Sequence, residues 1–342
     1  MFALNANEVD RQVYETELRD FLPTDFIDCH THIWKNTFTP KGKANGGATW
    51  IDLVADEMTS ENLLDTFRVL FPANHVTPLV FGGIKHDLDQ CNEYVHASAM
   101  QYGFPALYRS EYCMDADELE ENVKKGGFLG LKPYITNCPP YIPPAEIRIF
   151  DYLPKEHLEV ADRNGWIVML HIPRAKRLRD EVNVAELMEI EARYPNLKLI
   201  VAHVGRAYSK QDLGDAFDVL CNTKHMLFDF TANLCDDAIK ACIDAVGTKR
   251  LMFGSDLPIA IMRMYRVTDE NGVYYNVSPR GLYGDVSDDP HMRETDEPNV
   301  TLMIYEQLRA LKRCARDLHL TDSQIEDIMY GNAKNLIGGV RA

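Results

Sequence analysis

Short apolar runs alternate with amphipathic stretches along almost the whole chain. Val9, Val13, Leu18 and Phe21 share one side of residues 8–21, which predicts a leading amphipathic helix. From there the rhythm is strand, then helix. DFIDCHTHIW precedes EMTSENLLDTFRVLF, VTPLVFGG precedes DLDQCNEYVHASAMQYG, and FPALYRSEY precedes DADELEENVKKG. FLGLKPYI is followed by a Pro-rich loop and a helix near 154–164. WIVMLHIP then leads to VNVAELMEIEARYP, LKLIVAHVG to DLGDAFDVLCN, and HMLFDFTAN to DDAIKACIDAVG. RLMFGSDLP is separated by a long insert from VTLMIYEQLRALKRCARDL. Such alternation predicts an α/β fold with a parallel sheet covered by helices. Eight units is the number that closes a (β/α)8 TIM barrel.

Residues 1–342 therefore read as one domain, with a barrel core over about 25–338 and an N-terminal helical extension. Two long loops interrupt the rhythm, 35–56 after strand one and about 261–298 after strand eight. Loops beyond about 15 residues are usually functional lids or disordered segments. Tyr265, Tyr274, Tyr275 and Tyr283 within the second one argue for order. It is expected to be an ordered cap or a subunit contact, with surface enough for a homodimer.

Composition narrows the partners. A hydrophobic fraction of 46% supplies one large core. A net charge of −16 opposes nucleic acid and anionic membranes, which leaves a small-molecule substrate. The eight cysteines, at 29, 91, 113, 138, 221, 235, 242 and 314, form no CxxC pair, and they read as reduced thiols of a cytoplasmic protein. MFALNANEVDRQ has neither the basic start nor the apolar core of a signal peptide. No run of about 18 apolar residues predicts a membrane span.

Candidate chemistry collects at strand ends. His30, His32, Lys132, His171, His203 and Asp256 fall at the C-terminal ends of strands one, four, five, six and eight, where barrel enzymes carry their sites. Period-two geometry puts Asp28, His30 and His32 on one face of strand one and Ile27, Cys29 and Ile33 on the other. Two imidazoles from one strand can then reach one ion. Imidazole and carboxylate donors favour a divalent metal, zinc first, with Mn, Fe or Co also chemically able. A catalytic zinc lowers the pKa of its water to about 7, and Asp256 is placed to accept the released proton. Each residue alone has a plainer reading, as a core histidine, a helix cap or a solvated charge. Their joint placement carries the metal-site reading.

FIDCHTHIW, GLKPY, VMLHIP, IVAHVG, LMFGSDLP and the closing GNAKNLIG resemble the amidohydrolase superfamily. The resemblance is to its amidohydrolase-related (amidohydrolase 2) branch of TIM-barrel metal-dependent hydrolases and decarboxylases. It implies that His30, His32, His171 and Asp256 bind the main metal, and that Asp256 also orients or deprotonates a water. His203 is implied as a general acid/base or electrophile beside the metal. In binuclear relatives a carboxylated lysine from strand four bridges two ions, and Lys132 occupies that position. One or two ions are thus open, with Lys132 and His203 as further ligands in the second case. A plain Lys132 could instead clamp a substrate carboxylate.

Decarboxylases of the branch generally lack lysine in this segment, so GLKPY leans toward hydrolysis of an amide, lactone or ester. The alternatives are a nonoxidative decarboxylase of an aromatic or unsaturated acid, and a non-catalytic metal-binding barrel. An intact Asp256 argues against the last. For substrate binding the candidates are Arg174, Arg206, Lys132, Tyr134 and Arg280, with Lys35, Arg263 and Arg266 beside them. Arg174 and Arg206 each lie three positions beyond a site histidine, and guanidinium pairs a carboxylate bidentately, which suggests an acidic small molecule. The plainer reading of any one of them is a surface ion pair. Trp34 and the insert tyrosines are candidates for an apolar wall.

Overall fold

Eight parallel strands follow one another around a barrel: β1 (Asp25–Ile33), β2 (His75–Gly82), β3 (Tyr108–Ser110), β4 (Gly130–Pro133), β5 (Ile167–Leu170), β6 (Lys198–Val201), β7 (Leu227–Asp229) and β8 (Leu251–Met252). The computed structural model describes residue 4 and residues 6–39 and 50–340, so residues 40–49 of the expected first loop lie outside it. β1 pairs with β2, and β3 to β8 pair in sequence order. Two short seams complete the ring. The Val80 amide donates to Pro105 O and the Leu107 amide to Val80 O, both at 3.0 Å. The Cys29 amide donates to Phe253 O at 3.0 Å and the Asp256 amide to His30 O at 2.9 Å. β5 is buried along its whole length, as a strand covered on both faces must be.

A helix follows each strand in turn: Ser60–Leu70, Leu88–Tyr102, Ala116–Lys125, Lys155–Asn164 and Glu181–Arg193 for the first five. The sixth, expected over 212–222, breaks at Gly214–Asp215 into Lys210–Leu213 and Ala216–Leu220. Asp236–Val246 and Met303–Asp317 complete the set. Asn332 of the closing GNAKNLIG segment donates from Nδ2 to Thr248 O at 2.7 Å and Leu251 O at 2.8 Å, pinning the chain end beneath β8. None of the eight cysteines is paired. Among the described residues no helix is long and apolar enough to cross a membrane.

The leading helix is shorter than the pattern predicts. It runs over Glu8–Val13, capped by Asn7, and widens into a π turn over Tyr14–Leu18. Its Asp10 is fully buried and accepts from both terminal nitrogens of Arg263, at 2.9 and 2.7 Å, and from Thr301 Oγ1 at 2.8 Å. Arg263 therefore ties the N-terminus to the root of the insert rather than facing a substrate. The insert is ordered, as its tyrosines suggest. It forms a three-stranded sheet of β9 (Tyr265–Thr268), β10 (Tyr274–Pro279) and β11 (Met292–Thr295), with β10 in the middle.

Gly130 sets the spacing of the strand that carries Lys132. Its φ of +152° disfavours a side chain, and a Cβ there would lie 1.9 Å from Ile167 O on the facing strand. Gly130→Ala must push β4 from β5. We expect a loss of about 2–3 kcal/mol of stability, or no folded protein, read from the urea midpoint. An unchanged midpoint would contradict this packing.

Candidate metal centre

β1 delivers two imidazoles to the barrel mouth, although its alternation is not strict. Asp28 pairs with Pro78 but Thr31 with Val80, so one extra residue is accommodated as a bulge between them. Both rings still reach the carboxylate that follows β8. His32 Nε2 lies 2.9 Å and His30 Nε2 3.6 Å from Asp256 Oδ1. Gly254 allows this approach, since a Cβ there would meet His30 Cβ at 2.7 Å and Thr231 Oγ1 at 2.2 Å.

The outer nitrogens of three rings are fixed by partners that turn the inner lone pairs toward the centre. Burial lowers His30 to about 3 and also lowers His32, so both rings are neutral. His30 Nδ1–H donates to Asp229 Oδ2 at 3.1 Å. His203 Nδ1–H donates to Thr231 O at 2.8 Å, because a carbonyl can only accept. The Tyr134 hydroxyl gives its hydrogen to Gly82 O at 2.8 Å and so accepts from His32 Nδ1–H at 3.1 Å. The Nε2 lone pairs of His30, His32 and His203 therefore face inward. His32 Nε2 looks directly at an Asp256 oxygen, and His203 Nε2 lies 2.8 Å from His171 Nε2. A lone pair facing a carboxylate oxygen at 2.9 Å calls for a cation between them. The donors fall into two triads with atoms within 4.8 Å of one another, His30–His171–His203 and His30–His32–Asp256. Their chemistry fits a divalent metal.

The expected ligands His30, His32, His171 and Asp256 are thus brought together, and His203 joins them from beside His171. Lys132 is fully buried, with Nζ 3.2 Å from His30 Nε2, and burial brings its ammonium down to about 7. Asp28 accepts the amides of Ser255 at 2.8 Å and His30 at 3.2 Å through Oδ1, leaving Oδ2 unpartnered, and burial pushes it up to about 7.

Asp229 is the functional residue that the sequence pattern missed. It ends β7 fully buried, and its Oδ1 accepts the amides of His203 at 2.7 Å and Thr231 at 3.1 Å. Burial opposes its charge, but these donors and the His30 ring hold it below the usual range. Its support is needed because His203, Val204, Gly205 and Arg206 all have φ between 50° and 61°. A left-handed backbone costs about 1–2 kcal/mol per non-glycine residue. Asn233 Nδ2 bridges the same turn to His203 O at 3.1 Å and Ala207 O at 2.9 Å. Strain of this kind collects at functional sites.

The proposed substrate residues divide. Tyr134 is in the centre, but as the partner that orients His32. Arg206 donates from Nη1 to Ile172 O at 3.1 Å and Pro173 O at 3.4 Å. Arg174 pairs with Asp180 at 2.9 Å. Arg280 does not join the cluster: it is exposed on the insert, paired with Asp296 at 2.8 Å and Glu294 at 3.5 Å. Lys35 lies over the Tyr94 ring at 4.8 Å, and Trp34 is buried against His86.

Eight parallel strands with imidazole and carboxylate donors converging at their C-terminal ends define a TIM barrel with a candidate metal centre. The chain belongs to the amidohydrolase family, whose sequence profile matches residues 27–339. The family consists of metal-dependent enzymes that include hydrolases and decarboxylases. No curated protein matches the chain. Among solved structures, a probable 2-pyrone-4,6-dicarboxylic acid hydrolase from Acinetobacter baumannii is similar at 15% identity and a TM-score of 0.58, over 92% of this chain and 99% of that one. An amidohydrolase from Burkholderia multivorans with bound zinc is similar at 13% and 0.57, over 92% and 99%. A dihydroxybenzoic acid decarboxylase from Polaromonas sp. JS666 with bound manganese is similar at 13% and 0.54, over 94% and 98%. These likenesses show a shared fold.

Because Asp229 fixes which His30 nitrogen faces inward, Asp229→Asn should weaken metal binding by about 10–100-fold while the protein stays folded. Chelator competition with circular dichroism on the same sample measures both. An unchanged affinity would remove Asp229 from the site.

Proposed function

We propose that this chain is a metal-dependent hydrolase acting on a C–N or C–O bond of a small, carboxylate-bearing amide, lactone or ester. The observation that carries this reading is the placement of Asp256. It faces the bare His32 nitrogen at 2.9 Å and keeps 19% of its side chain accessible, while His30 is sealed. That is where a proton acceptor for an attacking water has to be. Lys132 favours hydrolysis over decarboxylation, since it stands beside His30 in the segment where decarboxylases of the branch generally lack lysine.

A divalent ion, for which the donor set favours zinc, supplies Lewis acidity that polarises a carbonyl and acidifies water. The chain's own residues do the rest. Asp256 Oδ1 takes the proton of the attacking water. The proton taken by Asp256 is returned to the leaving nitrogen or oxygen by way of His203 Nε2, whose ring is anchored through Nδ1–H. Asp229 and Tyr134 keep His30 and His32 in one tautomer throughout. The apolar faces of Phe81, against both rings, limit water to the open side. The unpaired thiols fit a cytoplasmic enzyme, and the insert offers a surface for a homodimer.

A panel of lactones, amides and esters, run beside aromatic carboxylic acids on the zinc-loaded protein, should yield hydrolysis products. Release of CO2 with no hydrolysis of any candidate would overturn the proposal in favour of a decarboxylase. In the same assay Asp256→Asn should retain metal and lose activity by about 10²–10⁴-fold. Persisting turnover would remove Asp256 as the proton acceptor.

A further inference from the structure

A substrate carboxylate needs a cation at the mouth. Arg174 there is paired with Asp180, and Arg206 spends Nη1 on the carbonyls of Ile172 and Pro173. Arg266 on β9 lies beside Tyr208, the ring that packs on His203. It is part-buried and has no acidic partner among the described residues. Its Nε donates to Asn276 Oδ1 at 2.9 Å and one Nη1 hydrogen to Ala232 O at 3.3 Å, which leaves Nη2 free.

Its position is set by aromatic rings. The guanidinium lies 4.5 Å from the Tyr208 ring centre and 5.1 Å from that of Tyr274. Tyr208 in turn packs edge-on to His203, 6.3 Å between ring centres. The Tyr208 hydroxyl has no hydrogen-bond partner among the described residues. Arg177 lies on the same two rings, at 5.0 and 4.5 Å, and raises the positive charge there, although its own Nη1 is paired with Asp212. A part-buried guanidinium without an anion is poorly compensated, and a bound carboxylate offsets part of that cost.

We propose that Arg266, carried by the insert, binds a carboxylate of the substrate, with the Tyr208 hydroxyl as second donor. The subsite selects molecules whose carboxylate stands one ring's length from the group attacked beside His203. This deepens the hydrolase reading and rests on it for the word substrate, but carboxylate binding is measurable without turnover.

Calorimetric titration of the zinc-loaded full chain with dicarboxylates from succinate to adipate tests it. We expect at least one to bind. Arg266→Gln should weaken that binding by about 10–100-fold, the usual worth of a charged hydrogen bond. Tyr208→Phe should weaken it by about 3–10-fold, and Arg193→Gln, on an exposed helix face, should leave it unchanged. Should Arg266→Gln not fold, Arg266→Lys is the substitute and should also lose affinity, since lysine has no bidentate fork. Binding of no dicarboxylate, or affinities within about twofold of the parent in both the Arg266 and Tyr208 variants, would overturn the proposal. A protein that binds through Arg266 yet hydrolyses nothing would instead overturn the hydrolase reading alone.

Discussion

The Asp229 carboxylate, sealed at the end of β7, accepts three N–H groups: His30 Nδ1, the His203 amide and the Thr231 amide. The donor cluster follows from where those hydrogens are held. One bond turns the His30 lone pair inward. The second holds the first residue of a left-handed turn that would otherwise relax, and with it the position of His203. A single buried charge thus sets two of the five converging side chains, and its own desolvation is offset by three donors.

Around that centre the barrel distributes its tasks between strand ends and loops. β1 supplies the His30–His32 pair, while β4 supplies Lys132 and the orienting Tyr134 follows it. The run after β8 returns Asp256 against His30 through a backbone hydrogen bond. The insert then covers one side of this arrangement. It is anchored at its root by Arg263 on Asp10, and it reaches the mouth through Arg266 and Tyr274 stacked near Tyr208. The N-terminal extension is therefore part of the support of the cap, since Asp10 belongs to it.

Much of this was legible in the sequence, for identifiable reasons. Strand–helix alternation is a long-range pattern, and it predicted all eight units and the strand ends on which His30, His32, His171, His203 and Asp256 lie. Asp229 was not legible because HMLFDFTAN reads as an ordinary buried strand, and one aspartate between phenylalanines gives no hint of three donors. A period-two reading could not see the bulge in β1, which depends on the register of β2. The roles of the arginines were the least legible. Arg174, Arg263 and Arg280 are engaged by Asp180, Asp10 and Asp296, partners set by tertiary packing rather than by sequence neighbours. Tyr134, expected at the substrate, instead fixes the His32 ring, because Gly82 O claims its hydroxyl hydrogen.

The inward Nε2 lone pairs of His30 and His32 and the Asp256 carboxylate are arranged for a cation. Anomalous diffraction at the zinc edge from crystals of the zinc-loaded protein measures this directly. The expected peak is bonded by Nε2 of His30 and His32 and by Asp256, with His30 Nδ1 still on Asp229. Absence of a peak among these side chains, or ligation of His30 through Nδ1, would contradict it.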